Sequence, residues 1–355
     1  MLTWKSYKLY LLLSFLGFLL AADEGEDISK DIVLLDNKVH PPISDNGEVF
    51  KIVSDKLKNE VKVFCIIITT PKYKETRAIP QIKTFLKRCN NFMYASSVED
   101  KSIRAFKAFP KDHYKFGYAK TRAGLKKAYK KYGDKYDWYL KIDDDSYVIL
   151  ESLRAFLINK NASEPQYHGF RLTFTTNSQK FDYHQGGAYV MSRATVKALV
   201  NGGFSHVCRK QPDGYDDREI GECLKKMNIS ATDARDINNK LIFVPSNPLQ
   251  FTSSSNVPKV VEFLDKGFMK FEKGASALSD WPISFHYIST PEMFYTLEYL
   301  IYRVNVIGQR QKMFETEDAN KSNVELAKKI LAKIRLNSKK IYKHGPIRKL
   351  LNKNS

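Results

Sequence analysis

The chain has 355 residues, 43% of them hydrophobic, and 58 Lys and Arg against 39 Asp and Glu give it a formal net charge of +19. This length suits one large α/β catalytic domain with appended segments, and it excludes a small scaffold that depends on disulfides for its stability. Eleven of the basic residues lie in 321–355, where Glu325 is the only acid. Because no basic, aromatic-bearing motif marks the rest of the chain, the charge does not predict a nucleic-acid binder.

The N-terminal segment predicts a membrane anchor. Residues 9–22 carry no charge, follow two lysines and precede an acidic stretch. That order of charges keeps the N-terminus cytoplasmic, so we expect a cytoplasmic tail over 1–8 and a signal anchor over 9–22. The segment is shorter than the ~20 residues that a span usually needs. A cleaved signal peptide and a secreted protein are the alternative, although Leu20 precedes Ala21 and Ala22 where cleavage favours a small residue.

The remaining chain alternates between the patterns of strands and helices. Residues 23–60 are polar, acidic and aperiodic, which is typical of a stem; the apolar run Val61–Thr69 then opens a catalytic domain over 61–310, and a basic tail follows over 311–355. Alternation of this kind predicts an α/β fold with a helix-flanked, largely parallel sheet. The predicted strands lie near Phe92–Ala95, Asp137–Ile142, Ala188–Met191 and Ile283–Ile288, and the predicted helices near Ala119–Tyr132, Ile149–Asn159, Arg193–Asn201, Asp217–Met227 and Met293–Val306.

The basic tail contains one amphipathic pattern. Val324–Leu336 predicts a basic helix whose charged side faces solvent. Contact with anionic glycans or with a membrane surface is the alternative function of this helix.

The most informative motif follows the strand predicted at Asp137–Ile142. Asp143, Asp144 and Asp145 come directly after it, at the end of a strand where an α/β sheet places its ligands. Three adjacent carboxylates are typical of a site for Mg²⁺ or Mn²⁺ carrying a diphosphate. A solvated acidic turn is the alternative when the triplet is considered alone.

Cysteines and sequons fit an oxidising compartment. Four cysteines, at positions 65, 89, 208 and 223, allow three pairings, and a buried free thiol at Cys65 is a further alternative. Sequons at Asn161, Asn228 and Asn320 predict N-glycans if the domain is luminal.

Seven blocks of the chain follow one another in the order of a known family. The blocks are Thr84–Cys89, Asn91–Ser97, Lys120–Thr121, Asp137–Leu157, Gly186–Ser192, Asp217–Cys223, and Ser284–Tyr287 followed by Met293–Tyr302. Together they resemble the β1,3-glycosyltransferases of glycosyltransferase family 31, which have a Rossmann-like GT-A fold in a single catalytic domain. The last block is similar to the branch of that family that transfers galactose to O-linked N-acetylgalactosamine.

The resemblance implies a role for each matching residue. Asp145 and His286 would bind Mn²⁺, Asp143 would hold the ribose or a metal-bound water, and Asp217 would act as general base. Lys120 and Asp144 would also contact the nucleotide. Without the resemblance, the residues alone favour a core histidine for His286 and a helix cap for Asp217.

The resemblance also implies an activity and a location. The expected reaction is inverting transfer of galactose from UDP-galactose to the 3-hydroxyl of α-GalNAc on glycoproteins, by a type II Golgi membrane protein with a luminal domain. The expected disulfides are Cys65–Cys89 and Cys208–Cys223, and a homodimer is one expectation for its assembly.

The chain departs from the family on the acceptor side. His184–Tyr189 replaces a longer glycine-rich loop, and Gly274–Leu278 lacks a Cys-Cys pair. Two alternatives therefore stay open: a fringe-like N-acetylglucosaminyltransferase, and a catalytically silent, chaperone-like relative. The second is disfavoured because the chain has the carboxylate triplet, the base and the histidine.

Overall fold

The computed structural model describes residues 45–175, 178–252, 272, 274–304 and 322–342. The chain divides into two units, 1–51 and 52–355, and the second contains the sheets and the site. In the described part, no helix is both long enough and apolar enough to cross a bilayer. The anchor predicted over 9–22 lies outside the described residues.

The main sheet is built on buried, apolar strands. Its seven strands follow the order β3-β2-β1-β4-β7-β6-β8, and a second sheet has the order β5-β10-β9. The strands are β1 Val63–Ile68, β2 Asn91–Ser96, β3 Ala105–Lys107, β4 Trp138–Asp143, β5 Tyr147–Val148, β6 Tyr167–Thr175, β7 Lys180–Ser192, β8 Thr232–Asp233, β9 Phe243–Val244 and β10 Ser284–Phe285.

Helices cover both faces of the main sheet, as the alternating pattern predicted. The helices are α1 Asp45–Glu60, α2 Ile79–Lys83, α3 Gly117–Tyr132, α4 Leu150–Leu157, α5 Arg193–Ala198, α6 Asp216–Lys226, α7 Pro248–Thr252, α8 Pro291–Tyr302 and α9 Asn323–Ile341. A π-helical stretch, Leu199–Val207, continues α5.

The strand directions of the main sheet confirm the prediction of a largely parallel sheet, and β7 is the exception. β1 runs parallel to β2 and β4, and β2 runs parallel to β3. β7 runs antiparallel to both of its neighbours, β4 and β6. The sequence prediction identified only the end of β7 and missed β6, although Phe181 and Tyr183 are buried on alternate positions of a polar stretch.

Successive residues of the central strands enter two different cores, as the two-residue period of a strand requires. Cys65 and Ile67 of β1 join the core that contains α4, α8 and the second sheet. Phe64 and Ile66 join the core that contains α3, α5 and α6. α3 lies close to β1 because it carries Gly124, where a Cβ atom would come within 2.7 Å of the Ile66 side chain.

Two regions outside the predicted domain core form helices. The segment predicted as an aperiodic stem ends in α1, where Val53 and Leu57 are buried. In the basic tail, α9 buries one face, including Ile330 and Ile334, while most of its lysines stay exposed. Asn159 donates a hydrogen bond to the Arg335 carbonyl of α9 at 2.7 Å.

A group of buried and half-buried polar side chains fixes α8 to the sheet, and we call it the Arg88 network. Arg88 donates two hydrogen bonds to Glu298 of α8, at 2.7 and 3.0 Å. The Tyr147 hydroxyl donates to the same carboxylate at 2.6 Å. The guanidinium also lies 3.5 Å from the centre of the Tyr302 ring, and the Tyr302 hydroxyl donates to Glu151 at 2.7 Å. The network is made of Arg88, Tyr147, Glu151, Glu298 and Tyr302.

Two disulfides link elements of this framework. Cys65 of β1 pairs with Cys89, just before β2, and Cys208 pairs with Cys223 of α6. These are the pairs that the resemblance implies, and no described cysteine is free. Of the three sequons, Asn161 and Asn228 are exposed, and Asn320 lies outside the described residues.

Candidate active site at the end of strand β4

Strand pairing brings a distant histidine to the aspartate triplet. β4 ends at Asp143, and β5 follows after a turn. β5 pairs antiparallel with β10, with Tyr147 opposite Phe285, so His286 emerges beside the turn. His286 Nε2 lies 3.2 Å from Asp145 Oδ1 and 3.8 Å from Asp143 Oδ2. The ligand atoms of these three residues all lie within 4.8 Å of one another.

The imidazole of His286 is held between two neighbours. The Tyr287 ring stacks on it, with centroids 4.0 Å apart. On another side is Gly187 of β7, where a Cβ atom would come within 2.6 Å of His286 Cγ. Because any larger residue at Gly187 would displace the ring, this glycine keeps Nε2 directed at the two carboxylates.

The donor set fits a divalent cation. Two carboxylates and one imidazole are ligands that Mn²⁺ accepts. Although burial opposes ionisation, the hydrogen bond with His286 and the charge of Arg77 lower the pKa of Asp145. Burial raises the pKa of Asp143 to about 7, even though Lys141 opposes that shift. The negative charge of Asp143 is therefore costly even beside Lys141, and a bound divalent cation would offset that cost.

Lys141 joins the two halves of the site. Its side chain is fully buried, and its Nζ lies 2.7 Å from each of three oxygens: Asp143 Oδ1, Asp216 Oδ2 and the Gly186 carbonyl. An ammonium has three N–H donors, so all three are used. Although burial opposes it, Asp143 and Asp216 raise the pKa of Lys141. The residue thereby connects β4, β7 and the start of α6.

Asp144 faces away from the three-ligand group. Its carboxylate accepts hydrogen bonds from the Thr69 hydroxyl at 2.7 Å and from Arg77 at 2.8 Å. Arg77 also lies 3.6 Å from Asp145 Oδ2. Burial and the charge of Asp145 raise the pKa of Asp144 to about 6, against the effect of Arg77. The side chain therefore ties the turn to the end of β1.

Lys120 supports the same strand end. Its buried ammonium donates to the Thr69 carbonyl at 2.9 Å and to Asp112 Oδ1 at 2.6 Å. These bonds account for two of its three donors. The structure thus places Lys120 behind Thr69, which in turn donates to Asp144.

The two aspartates at the start of α6 differ in their surroundings. Asp216 is buried, and its Oδ2 accepts from Lys141 and from the Tyr189 hydroxyl at 3.2 Å. Asp217 is partly exposed, and among the described residues its Oδ1 accepts a hydrogen bond only from the backbone of its neighbour, the Arg218 N–H at 2.8 Å. Burial and the charge of Asp216 raise the pKa of Asp217 to about 6. Tyr215 occupies the N-cap position, so neither aspartate is the capping residue.

Sequence reasoning missed two cations of the site. Lys141 and Asp143 are two positions apart on one strand, which places them on one face and could have predicted their ion pair. Arg77 carried no such signal, because the short, irregular segment that carries it, Lys74–Ala78, shows no periodic pattern.

Comparison with known proteins finds a glycosyltransferase family and individual glycosyltransferases that resemble this chain. Residues 58–290 match the Fringe-like family. Glycoprotein-N-acetylgalactosamine 3-beta-galactosyltransferase 1 of Xenopus laevis is 34% identical over 262 residues, covering 73% of this chain and 71% of the relative. Human beta-1,3-glucosyltransferase is 26% identical over 173 residues, 48% of this chain and 34% of the relative.

Two further similarities are weaker. Mouse chondroitin sulfate synthase 3 is 28% identical over 105 residues, which is 27% of this chain and 12% of the relative. Among solved structures, the apo WbbM bifunctional glycosyltransferase has a TM-score of 0.34 at 11% identity, covering 75% of this chain and 52% of that one, a similarity too loose to support an argument. The family match and the Xenopus relative are sufficient: the chain belongs to the Fringe-like family, glycosyltransferase family 31, as the sequence blocks predicted.

Proposed function

We propose that this glycosyltransferase moves galactose from UDP-galactose to the 3-hydroxyl of α-linked N-acetylgalactosamine on Ser or Thr, with inversion at the anomeric carbon. The observation that carries the proposal is the convergence of Asp143, Asp145 and His286 beside a partly exposed aspartate, Asp217, on α6. The Xenopus relative, whose name describes this linkage, supports the choice of sugars.

Asp143, Asp145 and His286 would hold the cation, which we propose to be Mn²⁺. When bound, the ion supplies positive charge that stabilises the diphosphate leaving group. Lys141 keeps Asp143 oriented toward the ligand group, and Gly187 keeps His286 there. Asp144 and Lys120, which secure the end of β1, belong to the same donor side, and we propose that they shape the nucleotide site.

Asp217 is the proposed general base. Asp216 is held by Lys141 and Tyr189, whereas the Asp217 carboxylate has one local backbone partner and an open side. A base must reach the proton of the attacking hydroxyl, and a carboxylate with a raised pKa is well matched to that task near neutral pH. Asp217 would take the acceptor's proton as its oxygen attacks from the face opposite UDP, which gives a β product from an α donor.

A fringe-like N-acetylglucosaminyltransferase is the second candidate, because the matching family is described as Fringe-like. The two candidates differ in the donor. Turnover of UDP-galactose and of UDP-N-acetylglucosamine by the same preparation separates them. A silent, chaperone-like relative would turn over neither nucleotide sugar.

The test of the proposal is transfer by the luminal part of the chain, residues 23–355. UDP release from UDP-galactose is measured with and without an α-GalNAc-threonine peptide, in Mn²⁺ and in EDTA. We expect release that depends on both peptide and metal. Asp145→Asn should lower it more than about 100-fold, because a metal ion contributes several kcal/mol to such a reaction.

Asp134→Asn is the matched control, because Asp134 is an exposed aspartate whose cationic partner is Arg193. It should turn over like the wild type. UDP binding without turnover of UDP-galactose would contradict the proposed sugars, and failure to bind UDP would favour the silent relative.

For localisation, we propose a type II Golgi membrane protein with this domain in the lumen. The two disulfides fit an oxidising compartment. N-glycans on Asn161 and Asn228 are proposed on the same ground, since both side chains are exposed.

A further inference from the structure

Two exposed tyrosines lie side by side next to the site, and we call them the tyrosine pair. Tyr114 is 75% exposed and Tyr215 37%. Their ring centroids are 5.1 Å apart, with the planes inclined at 51°. Large aromatic rings favour burial, so a contiguous exposed pair points to a surface that a ligand covers.

The tyrosine pair belongs to two segments that are fastened together. The Gly214 N–H donates to the Lys115 carbonyl at 2.5 Å, and the Tyr118 N–H donates to the Gly214 carbonyl at 3.3 Å. At Gly117, a Cβ atom would lie 3.5 Å from Asp216 Oδ1. The segment that carries Tyr114 therefore packs against the start of α6, and the rings are held in place by backbone contacts.

This position is beside the proposed base. Tyr215 comes directly before Asp216 and Asp217 in the chain. Tyr114, whose ring contacts that of Tyr215, is held beside the same start of α6 by the bond from the Gly214 N–H to the Lys115 carbonyl. The tyrosine pair is thus an aromatic border of the carboxylate site.

The border continues on the other side of Tyr215. The Arg218 guanidinium lies 5.2 Å from the centre of the Tyr215 ring and 5.0 Å from that of Phe174. Aromatic rings and the exposed Arg218 guanidinium therefore alternate along the edge of the site that carries Asp217.

We infer that the tyrosine pair binds the pyranose ring of the acceptor, an inference that rests on the proposed function of Asp217. An acceptor hydroxyl that gives its proton to Asp217 must belong to a sugar lying against the neighbouring surface. A pyranose presents C–H groups on its faces, and in galacto-configured sugars the axial 4-hydroxyl turns C4–H to the same side as C3–H and C5–H, so that one face carries a continuous patch of C–H groups. That face matches an aromatic ring, so the expected ligand is a galacto-configured hexoside, and the peptide part of the acceptor would bind outside the pair.

The test measures hexoside binding directly. Ligand-observed NMR titrations give the Kd of methyl N-acetyl-α-galactosaminide for residues 23–355 in the presence of UDP and Mn²⁺, and again without them. Tyr114→Ala should weaken binding about tenfold, the value expected for the loss of one aromatic contact, and Tyr215→Ala by a similar factor. Tyr114→Phe should bind within about twofold of the wild type, because the ring remains.

Two controls make the result specific. Tyr299→Ala removes another exposed tyrosine, 56% exposed on α8, and should leave the Kd unchanged. Methyl N-acetyl-α-glucosaminide, whose 4-hydroxyl is equatorial, should bind more weakly than its galacto isomer and lose less on Tyr114→Ala.

Outcomes for the pair and for the proposed function are read separately. In the same NMR titrations, the uridine signals report UDP binding. A wild-type protein that shows no UDP binding would contradict the proposed function, whatever the hexosides do. Wild-type protein that binds no hexoside, or alanine variants that bind it as the wild type does, would overturn the inference. Weakening of the unglycosylated threonine peptide instead of the hexoside would do the same.

Discussion

The chain holds two groups of largely buried charges, and they differ in how many partners each carboxylate has. In the Arg88 network each carboxylate has a cation or a hydroxyl group against it, and Arg88, despite burial, lowers the pKa of Glu298. In the second group, which we call the carboxylate cluster, five carboxylates share two hydrogen-bonded cations among the described residues, Lys141 and Arg77. The cluster consists of Asp143, Asp144, Asp145, Asp216 and Asp217.

This difference in the pairing of the carboxylates indicates a different role for each group. A closed set of partners fixes one arrangement of the chain, so the Arg88 network is structural. Surplus negative charge in a buried place raises carboxylate pKa values, as at Asp143 and Asp144, and is relieved when a cation binds. Four experiments separate structural charge from functional charge, in order of expected effect.

Removing the proposed base should have the largest effect. Asp217→Asn should lower kcat ~10²- to 10⁴-fold, the usual contribution of a general base, and leave UDP affinity unchanged. Steady-state kinetics and UDP titration give the two numbers. Glu222→Gln, a change on the same helix where Glu222 pairs with Lys226, is the control and should keep the wild-type kcat. An Asp217→Asn enzyme with a normal kcat would assign the proton transfer to another residue.

Opening the Arg88 network should affect stability instead. Arg88→Met leaves the half-buried Glu298 with the Tyr147 hydroxyl and the Lys87 ammonium, 3.4 Å away, as its partners. It should lower the free energy of unfolding by about 3 kcal/mol, the lower end of the cost of breaking a buried ion pair. Urea denaturation followed by circular dichroism measures it. Arg335→Met removes an exposed pair with Glu60 and should change stability by less than about 1 kcal/mol. Equal losses in the two variants would mean that the network is no stronger than a surface pair.

Filling the carboxylate cluster should stabilise the protein. Mn²⁺ with UDP, at a hundred times the Kd, should raise the free energy of unfolding by about 2.7 kcal/mol in the wild type. Asp145→Asn should remove this gain without lowering the stability of the metal-free protein, because it deletes surplus charge. Thermal unfolding with and without the ligands tests both statements. A metal-free Asp145→Asn protein as unstable as Arg88→Met would remove the contrast between the groups.

The smallest effect is on pH dependence. Burial and Asp216 raise the pKa of Asp217 to about 6, and a base works only as the carboxylate. The rate at saturating substrate should therefore fall about tenfold per pH unit below 6 and level off above it. The residual rate of Asp217→Asn should lack this limb. If the residual rate of Asp217→Asn falls at low pH with the same midpoint, the pH dependence belongs to a different group.

Sequence reasoning reached the parts of the molecule that repeat a pattern or a motif. The apolar runs of β1 and β4 and the spacing of α3 and α6 predicted the layers, and the resemblance implied the two disulfides. It located β10 within the strand predicted at Ile283–Ile288, but it missed β6 and also β5 and β9, the partners of β10 in the second sheet, because two-residue strands have no period to detect. His286 was assigned by resemblance alone, since only the β5–β10 pairing explains its position.

The pairing of charges in the Arg88 network could not be predicted from the sequence either. Arg88 was visible as part of a block, but its partner Glu298 lies on a helix far along the chain, and nothing in either segment predicts their contact. Tyr114 and Tyr215 looked like ordinary aromatic residues. Their exposure and their contact are properties of the folded surface, which no local pattern encodes.

The β5–β10 pairing has a consequence for assembly. Asp143 and Asp145 leave the ribosome long before His286, and this third proposed ligand reaches them only when a two-strand ladder near the end of the domain has formed. A chain that stops short of that ladder can complete β1, β2 and β4 and still lack a full set of ligands. Metal affinity would therefore act as a checkpoint for the completed fold, since an ion that binds only the native arrangement adds its binding energy to that arrangement alone.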